Sequence, residues 1–348
     1  MNVAIIDIGS GSVGLAGVLL EKDKVPILKF SKRIELTLQE KLDPERLLQE
    51  SFTAIERVIA DMQKGMALAP SSVFCFLSPH LIVSQARNII LNFDKSSTVN
   101  SLVINDAVNR ELKRFSAGNN SGEVVIEHKI MGVKLNGYET TNLKDRIANR
   151  LEISIFFTLA PADILNKIKK QISSSFHNEQ VEFHSFSIAH FAILRDIFRA
   201  EQNFAFIDIG SEITDVSLVR EGVIEKTTSF PLGKNTFIRS IMNKMQVSAP
   251  VALSIIKKGG DLVSVSEEWI TAIRGAIDSN NFEGKVREKI FILTDKDFSG
   301  ATSAILNQQL EIKELTSTDL NKFCQNYSGA VDDPFLMVAS IFVNKLLN

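Results

Sequence analysis

The chain opens with apolar runs too short for helices and too continuous for a surface strand. Ala4-Ile5-Ile6-Asp7-Ile8 reads as a strand buried on both faces, and Val13 to Leu20 and Pro26 to Ile34 follow as two more. Turns are predicted at Gly9-Ser10 and around Lys22-Asp23-Lys24. Asp43-Pro44-Glu45 then signals a helix start, with Asp as N-cap and Pro at the first helical position. Leu47, Leu48, Phe52, Ile55, Val58, Ile59 and Met62 continue it at helical spacing.

The same order of elements returns later. Ala205-Phe206-Ile207-Asp208-Ile209-Gly210-Ser211 repeats Ala4-Ile5-Ile6-Asp7-Ile8-Gly9-Ser10 with six of seven positions identical, at a constant offset of 201. Strands Asp215 to Arg220 and Val223 to Phe230 follow, with a turn at Glu221-Gly222 between them. A helix from Asn235 to Met245 comes next, through Phe237, Ile238, Ile241 and Met242. Two copies of a three-stranded meander opening on Asp-x-Gly-Ser imply a duplicated α/β domain.

Between the copies the pattern changes. Val73 to Leu77 and Leu81 to Leu91 read as strands and Asn105 to Phe115 as a helix. Asn119-Asn120-Ser121-Gly122 is a turn, followed by strands Glu123 to Leu135 and Leu151 to Thr158 and a helix from Pro161 to Phe176. The predicted division is residues 1–72 for the first part of lobe one, 73–178 for a small inserted α+β subdomain with the return to the core, and 179–348 for lobe two and a closing helix.

Composition narrows the function classes. In 348 residues, 45% hydrophobic and 23% charged with a net charge of −2, nothing calls for nucleic acid or an anionic membrane as partner. Val3 to Leu20 has no basic leader and carries Asp7 and four glycines, so it reads as part of the fold and not as a signal or anchor. Phe335 to Leu347 is too short to span a bilayer, which needs ~20 apolar residues. Cys75 and Cys324 lie in no metal-ligand spacing and read as reduced, buried thiols of a cytoplasmic protein.

The repeated Asp-x-Gly-Ser has a chemical reading. Glycine lets backbone N–H groups approach a phosphate, Ser adds a hydroxyl, and Asp at a strand end holds Mg²⁺ through water. A lone copy is an ordinary tight turn. Two copies in corresponding places predict a clamp on a β/γ-phosphate pair.

On these residues the chain resembles the actin-like ATPase superfamily, which shares the ribonuclease H-like fold. Asp7-Ile8-Gly9-Ser10-Gly11-Ser12-Val13 is similar to its first phosphate motif and Asp208-Ile209-Gly210-Ser211-Glu212-Ile213-Thr214-Asp215 to its second. Gly132-Val133-Lys134-Leu135-Asn136-Gly137-Tyr138 and Leu151-Glu152-Ile153 resemble the inserted subdomain of the branch that holds the cell-division protein FtsA and the type IV pilus protein PilM. Asn142-Leu143-Lys144-Asp145 falls where that branch often has an Asn-Pro turn, without the proline. Pro231 to Asn235, Ala249 to Lys257 and Pro334 to Leu347 resemble the stretch after the second motif, a helix near the adenosine and the closing helix. The resemblance implies ATP with Mg as cofactors. Its site residues would be Asp7, Gly9, Ser10, Gly11, Ser12, Asp208, Gly210, Ser211, Thr214, Gly233, Lys257 and Thr294, with Asp7 and Asp208 on the metal. No catalytic residue is assigned.

Several positions depart from the pattern. The adenosine strand Ile290 to Thr294 ends in Asp295-Lys296-Asp297 where the superfamily has glycines. Glu212 stands in the second phosphate turn, and two like charges ~4 Å apart at an effective dielectric near 20 repel by ~4 kcal/mol unless Mg²⁺ or an outward rotamer intervenes. The first hairpin carries no Lys or Arg between Asp7 and Leu20. Ser185, Ser187 and His190 include no water-positioning carboxylate or amide, and His190 reads as a packed helix residue. Lys257 and Lys258, beside Gly259-Gly260, serve equally as nucleotide contacts or as a solvated helix end.

The resemblance therefore implies a nucleotide-binding scaffold with weak or absent hydrolysis, acting in cell division or pilus assembly. It would sit at the cytoplasmic face of the inner membrane by recruiting the cytoplasmic tail of a membrane protein, with self-association a further expectation. No amphipathic membrane helix follows the closing helix, which favours the PilM side, whereas Leu135-Asn136-Gly137-Tyr138 favours FtsA. The alternatives are an interaction module that binds no nucleotide, and an exopolyphosphatase- or sugar-kinase-like phosphotransferase.

Overall fold

The computed structural model describes residues 1–65, 69–118, 122–140, 146–176, 180–258, 263–278, 289–295, 298–300, 302, 312–327, 330 and 332–348. Residues 119–121 of the expected turn, Asn142 to Asp145, Gly259-Gly260 and Lys296-Asp297 lie outside them.

Strand β1 (Asn2–Ile8) pairs antiparallel with β2 (Ser12–Leu19), and β2 with β3 (Ile27–Glu35). Helix α1 (Pro44–Gly65) crosses to β4 (Ser72–Leu77), which lies parallel to β1. The second half repeats this. β10 (Phe204–Ile209) pairs antiparallel with β11 (Thr214–Arg220), β11 with β12 (Val223–Phe230), and β13 (Lys289–Thr294) runs parallel to β10. With β9 (Val181–Ser185), β14 (Ile312–Glu314) and β15 (Gln325–Asn326), the sheet orders among the described residues are β15-β3-β2-β1-β4-β9 and β12-β11-β10-β13-β14. Even the irregularity recurs: the β2–β3 register slips at Gly17/Val18 and the β11–β12 register at Leu218/Val219. The duplication expected from the repeated heptapeptide is a duplication of topology.

Alternation explains why the central strands are apolar throughout. Ala4, Ile6 and Ile8 of β1 face a core shared with α1 and α3 (Ala162–Phe176), while Val3 and Ile5 face the opposite way. In β10, Ala205, Ile207 and Ile209 pack under α5 (Lys234–Met245), α6 (Ala249–Lys257) and α7 (Val263–Asp278), while Phe204 and Phe206 face inward. The inward faces of both sheets meet in one core, filled by α4 (Phe186–Ile197) and the closing helix (Pro334–Leu347). A strand covered on both sides has no use for polar residues, so a polar one in β1 or β10 needs a reason. Asp7 and Asp208 are those residues.

The third sheet, β5-β8-β6-β7, is built from β5 (Val83–Val99), β6 (Glu123–Leu135), β7 (Tyr138–Glu139) and β8 (Arg146–Pro161), backed by α2 (Ser101–Gly118). β4 pairs within the first sheet and α3 packs on the first core, so the separate sheet spans Val83 to Pro161, a narrower stretch than residues 73–178. β5 also runs past the expected Leu91: Asp94 to Ser97 is polar on both faces, yet the strand continues to Val99 across a bulge between Asn92 and Ser97. Polar edge strands lack the alternation that marks a half-buried one. No helix among the described residues is long and apolar enough to cross a membrane.

Candidate functional site

Because β1 and β10 are equivalent strands of facing sheets, their carboxyl ends meet, which is where open α/β sheets place ligands. Asp7, Gly9, Ser10 and Ser12 from the first hairpin and Asp208, Gly210 and Ser211 from the second line one cleft. The turns are built alike. The Gly9 N–H donates to the Ser12 carbonyl at 2.9 Å, and the Gly210 N–H to the Ile213 carbonyl at 2.9 Å.

The turns also touch. A Cβ added to Gly11 would lie 2.3 Å from the Cβ of Ser211, and one on Gly210 would lie 3.0 Å from Ser10 Oγ. The Glu212 N–H donates across the gap to Ser10 Oγ at 3.0 Å. What remains is about 50 Å³. At roughly 10–15 Å³ per water-sized sphere, that holds a few waters.

The two aspartates differ in their surroundings. Asp7 Oδ2 accepts from Arg33 Nη2 at 2.7 Å, and the same guanidinium donates to Ser12 Oγ at 2.9 Å and, through Nε, to Asp333 Oδ2 at 2.7 Å. Gly14 makes this possible. It lies across from both Asp7 and Arg33, and a Cβ there would sit 2.8 Å from Arg33 Nη2. Burial opposes the Arg33 charge, but Asp333 and Asp7 outweigh it and push its pKa further up. Burial likewise pushes Asp7 up against the pull of Arg33, so within this pair only the carboxyl titrates in an accessible range.

Among the described residues, Asp208 has no cation bonded to it. Its Oδ1 is out of solvent and accepts no hydrogen bond, although the residue keeps some exposure to the cleft. Burial first, then the charges of Asp215 and Asp7, hold its carboxyl well above the usual carboxylate range. Asp215, its cross-strand neighbour, is bonded by Ser187 Oγ and Ser229 Oγ, each at 2.7 Å, and is also raised by burial.

Charged contacts continue toward the cleft mouth. Glu212 is buried and not among the residues lining the narrow cleft, held by Arg239 Nη2 at 2.5 Å and Asn235 Nδ2 at 2.7 Å, so the anticipated repulsion is relieved by an internal cation. Arg239 also donates to the Gln39 carbonyl of the first half at 3.1 Å. Lys234 pairs with Asp295 at 2.5 Å and approaches Glu35 of the first half at 3.8 Å. Beyond these groups a wider cleft of about 520 Å³ opens between Leu36, Leu38, Ile238, Leu253 and Phe335.

The remaining expected site residues are placed otherwise. Thr214 is fully buried, donates to the Leu232 carbonyl at 2.6 Å and accepts from Trp269 Nε1 at 3.0 Å. Gly233 lies against the second turn, where a Cβ would meet the Ser211 carbonyl oxygen at 2.5 Å. Thr294 is buried at the end of β13 with its hydroxyl unbonded, and Lys257 is exposed at the end of α6, outside the residues lining either cleft. Ser185 caps α4, and His190 is buried beside Phe206 with its pKa pushed down to about 3 by burial. Cys75 and Cys324 are buried, free thiols. Sequence reasoning missed Arg33, Asp333 and Arg239. Only Gly14, opposite the strand that carries Arg33, hinted at the first of them.

The donor set can be tested against Mg·ATP. Asp208, with a buried oxygen bearing no partner, suits a hydrated divalent cation, and among the described residues no cluster of three or more His, Cys, Asp or Glu forms a direct metal site. A triphosphate does not fit between turns in contact.

No family model matches the sequence, and no curated protein does either. Among solved structures, the chain is similar to one from a PilM–PilN type IV pilus biogenesis complex, with TM-score 0.66 and 13% identity over 99% of this chain and 98% of that one. It is also similar to the ethanolamine utilization protein EutJ from Carboxydothermus hydrogenoformans, with TM-score 0.50 and 8% identity over 99% and 90%. A Bacteroides thetaiotaomicron protein described as having an actin-like ATPase fold and unknown function matches with TM-score 0.43 and 9% identity over 98% and 95%. Duplicated 3-2-1-4-5 sheets, twin Asp-x-Gly-Ser turns across one cleft and the first two of these likenesses together establish that the chain has the two-lobed actin-like ATPase fold.

Proposed function

We propose that this chain is a cytoplasmic scaffold of the PilM kind, in which the state of the cleft between the lobes sets how the surface engages a partner. Likeness over the full length to a protein solved in a PilM–PilN type IV pilus biogenesis complex supports a partner protein of pilus assembly, in this reading the cytoplasmic tail of an inner-membrane protein. Mg·ATP is the expected ligand; since a triphosphate does not fit between the turns in contact, its entry through the wider cleft, with Asp7 and Asp208 at its phosphate end, requires the turns to part. Hydrolysis is slow or absent in this reading. Ser187 is spent on Asp215, Ser185 on a helix cap, and His190 on the core, which leaves none of the three to position a water. The observation that carries the reading is the pair of matched turns in direct contact, an arrangement suited to gating and not to turnover.

Calorimetry with Mg·ATP on the wild type and on Asp208→Ala tests it. Binding to the wild type that is lost in the variant supports a nucleotide-gated scaffold. Turnover above ~1 s⁻¹, a typical lower bound for enzymes, contradicts it in favour of a phosphotransferase. The contact between Gly11 and Ser211 also favours a second reading, an interaction module that takes no nucleotide. Absence of binding to the wild type would select it.

A further inference from the structure

We infer that Arg33 is a built-in latch, a protein-borne cation occupying the place at Asp7 that a divalent cation would otherwise take. The inference rests on reading the cleft as the nucleotide site. Three features on three segments make the latch. Arg33 arrives from β3, 26 residues after Asp7, through the gap left by Gly14. Its guanidinium spends four hydrogen bonds inside the site, one on Asp7, one on Ser12 and two on Asp333, and leans on the Phe335 ring at 5.4 Å. Asp333 in turn caps the closing helix, accepting from the Leu336 N–H at 3.1 Å. The first phosphate turn is thus tied to the helix that fills the core between the lobes.

An arginine cannot shed its proton, and its planar fork suits two carboxylates at once. Asp7 therefore faces a permanent internal cation, while Asp208, its counterpart, is left with an unbonded oxygen. A divalent ion approaching Asp208 meets the positive charge of Arg33, which lines the same space of about 50 Å³. Cation entry and the Arg33–Asp7 bond exclude each other. Opening the cleft requires the guanidinium to swing away from Asp7 while keeping Asp333.

Titrations of MgCl₂, followed by calorimetry and by thermal unfolding, test the latch on wild type, Arg33→Gln and Gly14→Ala. Gly14→Ala leaves the charge in the chain but fills the slot the guanidinium uses. Both variants are expected to bind Mg²⁺ at least about tenfold more tightly than the wild type, within the range of coupled sites. Thermal stabilisation by Mg²⁺ should be larger in each than in the wild type. If Arg33→Gln does not fold, Gly14→Ala alone carries the test. Variants that titrate like the wild type overturn the latch. Tightened Mg²⁺ binding with no Mg·ATP binding by any form would uphold the latch and remove the nucleotide reading, so the two failures are distinguishable.

Discussion

The two turns of this molecule share a sequence and a backbone but not an electrostatic state. Across β1-β2-β3 the aligned residues are Asp7, Gly14 and Arg33, whereas across β10-β11-β12 they are Asp208, Asp215 and Ser229. In the first lobe the middle residue gave up its side chain so that an arginine could reach the aspartate. In the second the middle residue is another carboxylate, and the outer one supplies only a hydroxyl. One aspartate is therefore held by a cation, and the other faces a like charge. Duplication preserved the turn and left the neighbouring strands free to set its chemistry.

Removing the cation should produce the largest effect. Arg33→Ala leaves Asp7 and Asp333 buried without a partner, and breaking such a pair costs about 3–5 kcal/mol. Denaturant unfolding at neutral pH measures it. A loss below about 1 kcal/mol, the scale of exposed pairs, would mean the guanidinium is solvated and the first turn no different from the second.

A smaller effect probes the contact between turns. Gly11→Ala places a methyl inside Ser211 and should cost about 1–3 kcal/mol, the range for overpacking. Adding Ser211→Gly should recover most of that loss in a double-mutant cycle. Simple additivity of the two changes would show that the turns stand apart.

The third prediction concerns pH. Burial, with Asp215 and Asp7, raises the Asp208 pKa well above the ordinary value of 3.8. The folded state thus binds that proton more tightly than the unfolded chain. The resulting stability is fully present below pH 3.8 and is lost as pH climbs through the raised folded-state pKa. Asp208→Asn keeps the shape without the titration, so its Tm at neutral pH should rise above the wild type and the curve should flatten over that window. A Tm below the wild type at neutral pH would mean Asp208 is stabilised as an anion.

How much of this could be read from residues alone follows from the range of each interaction. The repeated heptapeptide located both aspartates, because a polar residue inside a doubly covered strand stands out locally. The expected strands Glu123 to Leu135 and Val223 to Phe230 match the observed elements, since each carries its own pattern and boundaries, and the helix Ala249 to Lys257 that the resemblance implied is also observed. Arg33 escaped notice because its role depends on register across β2, which no local pattern prints. Glu212 raised concern about repulsion because its neutralising partner, Arg239, lies one helix further on. Thr214 lay in the motif but turned inward to Leu232 and Trp269, both distant in the chain.

Everything distinctive here depends on the two turns being in contact. Amide exchange at Glu212 reads that contact directly, since its N–H donates to Ser10 Oγ of the other lobe. The amide should exchange slowly in the wild type and much faster in Ser10→Ala, with neighbouring amides of β10 unchanged. Fast exchange at Glu212 in the wild type, indifferent to the loss of the Ser10 hydroxyl, would mean the lobes stand open and the cleft is not closed by its own residues.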